Sequence, residues 1–60
     1  MFMITIELTT GEIINSITED YETLARVCDK SDFVSEYRVS TPHSSYISAT
    51  NDHPKWKNYL

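Results

Sequence analysis

The stretch Phe2-Met3-Ile4-Thr5-Ile6-Glu7-Leu8 carries Phe2, Ile4, Ile6 and Leu8 at every second position, with Met3, Thr5 and Glu7 between them. Side chains of an extended chain point alternately to opposite faces, so a period of two defines a strand with one buried face. Thr9-Thr10-Gly11-Glu12 follows and holds the only glycine of the chain. Glycine takes positive φ without a Cβ penalty, so the spacing predicts a tight hairpin into a second strand over 12–17. Two registers satisfy the residues. A two-residue loop at Thr10-Gly11 sets Leu8 opposite Ile13 and Ile4 opposite Ile17, whereas a three-residue bulged loop pairs Ile6 with Ile14. Either is expected to leave one isoleucine of the second strand facing away from the first sheet face.

The period changes after Ile17. Thr18 is a capping residue with Glu19 and Asp20 at the positive end of a helix, and Ser16-x-x-Glu19 is a competing capping box. Tyr21, Leu24, Ala25 and Cys28 then recur at helical spacing, which predicts one stripe against the sheet and Glu22, Thr23, Arg26 and Asp29 toward water. Cys28 on that stripe reads as a small buried hydrophobe, since no neighbouring His or Lys in sequence lowers its pKa.

Asp29-Lys30-Ser31-Asp32 is a polar terminator. Alternation resumes over 33–40 and is expected to put Phe33, Tyr37 and Val39 on one face with Ser35. Thr41-Pro42-His43-Ser44 places proline at the second position of a type I turn, where its fixed φ fits and its missing N–H costs no ladder bond. A fourth strand over 46–50 is expected, poor in apolar bulk and therefore an edge strand or one completed by a partner. Asn51-Asp52-His53-Pro54 supplies cap candidates for a one-turn helix with Trp56, Tyr59 and Leu60 on one side. So short a helix must dock its aromatic face on this subunit's sheet or on a neighbour's. The fold class is thus α+β: a single domain over 1–60, a ββαββ antiparallel sheet with one amphipathic helix on a face and a short aromatic tail.

A chain of 60 residues buries only about 60% of its unfolded surface, so its core is marginal. Small folds compensate with disulfides, a metal or oligomerisation. Cys28 is the only cysteine, and Cys28, His43 and His53 lack zinc-ligand spacing. A homodimer is the remaining route, with Trp56, Tyr59 and Leu60 as its docking residues or as a tail docked within the subunit. No cofactor or metal is expected. The chain has no apolar run of membrane-spanning length and no basic leader at its start, so a cytoplasmic location without a membrane partner is expected.

Net charge is −4, and residues 1–25 hold Glu7, Glu12, Glu19, Asp20 and Glu22 with no Lys or Arg. Such a half repels a phosphate backbone, which excludes direct nucleic-acid binding as an expectation and favours a basic protein surface. Ser44, Ser45, His43 and Asp52 supply hydroxyl, imidazole and carboxylate, but so small a domain rarely encloses a substrate pocket and no catalytic motif is present. The expectation is a non-catalytic protein-binding module. Its contacts are expected at Glu19, Asp20 and Glu22 on the helix start and at His43 and Tyr46 around the second turn; Tyr37 is expected in the core.

In size, acidity, ββαββ layout and its MFMITIELTTGEII start, the whole chain resembles small accessory proteins encoded by bacteriophages. Several of those inhibit bacterial defence systems, CRISPR nucleases among them, by binding a host enzyme stoichiometrically, often as dimers. The resemblance implies an inhibitor or modulator of a host protein in the host cytoplasm; a structural or regulatory subunit that completes a larger assembly by strand pairing is the alternative. It assigns no residues.

Overall fold

A computed structural model describes residues 1–43, 45–48 and 52–57 of the chain. Three strands, β1 (Phe2–Leu8), β2 (Ile13–Thr18) and β3 (Val34–Ser40), form an antiparallel sheet in the order β2-β1-β3, and the helix α1 (Tyr21–Lys30) connects β2 to β3. The α+β class expected from the sequence is the one observed.

The first hairpin takes the bulged register. Gly11 N–H donates to Leu8 O (2.9 Å), Leu8 N–H donates to Glu12 O (2.8 Å), and Gly11 sits at φ 95°. A three-residue loop closed by a left-handed glycine matches the strand twist, and it sets Ile6 opposite Ile14. Two isoleucines of β2, Ile13 and Ile17, then face away from the helix where one was expected, because they pair with Glu7 and Met3 on the other face.

The helix begins two residues later than its Thr18 cap would place it. Asp20 is the N-cap: its carboxylate accepts from the Thr23 N–H (3.2 Å) and the Thr23 hydroxyl (2.6 Å), two donors that a threonine cap cannot hold together. Thr18 Oγ1 accepts from Asp20 N–H (3.1 Å) and tightens the preceding turn. Ala25 and Cys28 are buried and Tyr21 and Leu24 pack partly covered beside them, as the stripe predicts.

The core lies between α1 and the face bearing Ile4, Ile6, Val34, Tyr37 and Val39, closed on the remaining side by Trp56. Full burial of Ile4, Tyr37 and Val39 stabilises the fold by about 1.5–3 kcal/mol each. Phe33 is not part of this core: it is 73% exposed. Between Glu7 and Leu8 the pairing shifts from Glu36 to Val34, so one extra β3 residue reverses the alternation and Val34 takes the inward place.

Past β3 the turn falls where Pro42 predicts, closed by Thr41 N–H to Ser45 O (2.8 Å) and by a bridge from Ser40 to Tyr46. Among the described residues, two short segments share the outer edge of β3 where one fourth strand was expected. Ile47 N–H bonds Val39 O (2.9 Å), while Tyr37 N–H bonds Lys55 O (3.0 Å) and Lys57 N–H bonds Tyr37 O (2.8 Å) in a parallel bridge. Trp56 is therefore extended, not helical, because pairing with Tyr37 satisfies more backbone groups than an isolated turn does. Of the expected fourth strand and tail, residues 49–51 together with Tyr59 and Leu60 lie outside the described residues.

Candidate functional site

Asp29 was expected in water and is instead the centre of a polar cluster. Its side chain, only 11% exposed, accepts from the Tyr37 hydroxyl (3.0 Å to each oxygen), from Lys55 N–H (3.3 Å) and from His53 Nδ1 (2.6 Å). An ionised carboxylate only accepts, so Nδ1 carries the His53 proton. The His53 ring lies 5.2 Å from the Trp56 ring, and Trp56 stands 5.7 Å from Tyr21 and 5.8 Å from Tyr37, with Phe2 against Tyr21. Lys55 Nζ caps the helix end by donating to Ser31 O. Helix end, β3 and the C-terminal segment are thus fastened through one carboxylate.

This arrangement is closed rather than reactive. Burial first, then the hydrogen bond to Asp29, pushes the Tyr37 hydroxyl far above the usual phenol range. Burial likewise raises the Cys28 thiol, with Asp29 adding to the effect. Both shifts disfavour the ionised, nucleophilic form of the group. His53, read from sequence as a cap-region residue, serves as the clamp's second member. Trp56 docks within the same subunit, one of the two expected possibilities; its Nε1 is buried with no hydrogen-bond partner among the described residues.

Among the described residues no group of three His, Cys, Asp or Glu side chains is placed to hold a metal, and no helix is long and apolar enough to cross a membrane.

The residues expected to bind a partner gather differently. Phe2 pairs with Thr18 and Met3 with Ser40, so the start of β1, the end of β2 and the end of β3 lie at one end of the sheet. Met1, Phe2, Met3, Ile17, Thr41 and Pro42 line a shallow apolar recess of about 220 Å³ there. Glu19 and Asp20 leave β2 directly beside Ile17 and Thr18, and His43 follows Pro42; all three are exposed, as are Glu22 and Tyr46. The Asp20 carboxyl is held below its ordinary value by its hydrogen bonds from Thr23, so it stays charged. Glu22 has Arg26 at 3.7 Å, which offsets part of the negative surface. Sequence reasoning missed the recess, because its walls come from three separate segments.

Compared with protein-family models, curated proteins and solved structures, the chain gives no match.

Proposed function

We propose that the chain is a non-catalytic protein-binding module that docks the end of its sheet onto a basic surface of a partner protein. The observation that carries this reading is the convergence at one end of an apolar recess, the acids Glu19 and Asp20, and the exposed turn bearing His43 and Tyr46. An apolar centre with a charged rim is the composition of a protein contact: the recess accepts a side chain while the rim steers the approach. Stoichiometric occupation occludes the partner's surface, which is the mode of the phage-encoded inhibitors of bacterial defence enzymes that the chain resembles. A second reading, a subunit completing a larger assembly by strand pairing, is favoured by the outer edge of β2, with which no described residue pairs.

The test is association kinetics against the captured partner for Glu19→Gln, Asp20→Asn and Glu22→Gln combined. Asn caps a helix as well as Asp does, so the fold is kept. Exposed charges act over about 8 Å at physiological ionic strength, and removing them is expected to slow association by about tenfold or more and flatten its salt dependence. Unchanged affinity and salt dependence would refute docking through this end.

A further inference from the structure

The two edges of the sheet are treated differently. The outer edge of β3 is occupied by Ile47 and by the segment around Trp56, whereas no described residue pairs with the outer edge of β2. Natural proteins shield an open edge with charge, proline or a bulge. β2 has none of these: Ile13-Ile14-Asn15-Ser16-Ile17-Thr18 is uncharged in a chain of net charge −4. Ile14 is 44% exposed since the helix lies over β1 and β3, and Ile13 and Ile17, on the face turned away from the helix, are 59% and 67% exposed.

The hydrogen-bond phase fixes which groups are free. Leu8 bonds Glu12, so Glu12, Ile14 and Ser16 turn their main chain toward β1 while Ile13, Asn15 and Ile17 turn theirs outward. We propose that this edge pairs antiparallel with β2 of a second copy of the chain, about a twofold axis at Asn15. Ile13 of each copy then opposes Ile17 of the other, and the two sheets join into one with both helices on the same face.

Charge selects this occupant. A second copy approaching the helix start meets Glu19, Asp20 and Glu22 with its own acids; along β2 it meets no charge. In the Asn15-centred register Glu12 comes opposite Thr18 and Glu19 opposite Gly11, so no carboxylate directly faces another. Asn15 also sets the register. Its Oδ1 accepts from Thr5 Oγ1 (2.9 Å), so in the proposed register its amide N–H groups are the donors that meet the second Asn15 across the axis. A slip of two residues sets that amide against isoleucine, and a slip of one turns every side chain to the wrong face.

Sedimentation equilibrium of the full chain at high micromolar concentration is expected to give twice the 7.0 kDa chain mass. Ile13→Lys, which leaves the core and the recess untouched, is expected to give the single-chain mass with an unchanged circular dichroism spectrum. Cross-linking decides the register even if that variant fails to fold. In Asn15→Cys the two new thiols face each other across the axis, about 5.5 Å apart at Cα, and mild oxidation should link them. In Ile13→Cys they lie roughly 13 Å apart along the strands and should stay free, as should buried Cys28. A monomeric wild type, a dimer that survives Ile13→Lys, or equal cross-linking at both positions would overturn the proposal.

Discussion

Asp29→Ala tests the clamp that fastens the C-terminal segment. The substitution removes the acceptor of three donors: the hydroxyl of Tyr37, whose residue is fully buried, the Lys55 N–H and the His53 Nδ1–H. An unsatisfied buried hydroxyl costs about 1–3 kcal/mol. The other two lie at the partly exposed margin, where water replaces the carboxylate, so each adds about 0.5–1 kcal/mol. Against this, the variant no longer desolvates a charge, which returns part of the loss. A net destabilisation of about 3 kcal/mol follows from these magnitudes. That is a large share of the roughly 3–9 kcal/mol typical of a chain of this length. Urea unfolding followed by Trp56 fluorescence and by circular dichroism measures it. Tyr37→Phe, which leaves the carboxylate its His53 and Lys55 partners, should cost only about 1 kcal/mol, and Asp29→Ala should cost less in that background than in wild type. A loss below about 1 kcal/mol for Asp29→Ala, or strict additivity with Tyr37→Phe, would refute the clamp.

Alkali should act through Tyr37. Its folded-state pKa is raised by burial and by Asp29, so the stability it contributes is present below the ordinary value of 10.0 and declines as pH rises beyond it. Phenolate absorbance should show Tyr37 ionising only with unfolding, and Tyr37→Phe should flatten the alkaline limb of the stability curve. Acid should act through Asp20, whose depressed pKa contributes stability above the ordinary value of 3.8 that is lost as pH falls below it; Asp20→Asn should show a shallower acid limb in thermal melts. Cys28, buried and with its thiol pKa raised, should resist thiol reagents in the native protein and react on unfolding, and Cys28→Ala should fold with a loss of about 1 kcal/mol.

The hairpin, the helix stripe and the second turn were legible because each is written in local periodicity: alternation through Leu8, helical spacing from Tyr21 to Cys28, and Pro42 at a turn position. Glycine permitted two loop lengths at Thr10-Gly11, and only the pairing of Ile6 with Ile14 decided between them. Phe33 was misplaced because a bulge reverses alternation without leaving a mark in residue type. Asp29 was misread for a different reason. Its partners His53 and Lys55 stand 24 and 26 residues away, and a carboxylate on a helix defaults to solvent. A local signal existed: Asp29 follows Ala25 by four residues and Tyr21 by eight, which sets it on the rim of the buried stripe, and the tail carries a histidine, a lysine and a tryptophan in succession around Pro54. Capping residues before Pro54 predict a helix in the tail, yet the edge of β3 offers Trp56 a better use of its backbone.

Capture from a bacterial lysate by the immobilised full chain, with the triple variant Glu19→Gln, Asp20→Asn and Glu22→Gln run beside it, tests the binding-module reading most directly. The account predicts one protein with a basic surface retained in an amount comparable to the chain by wild type and depleted on the variant. Equal recovery by both, or no protein held in stoichiometric amount, would contradict it.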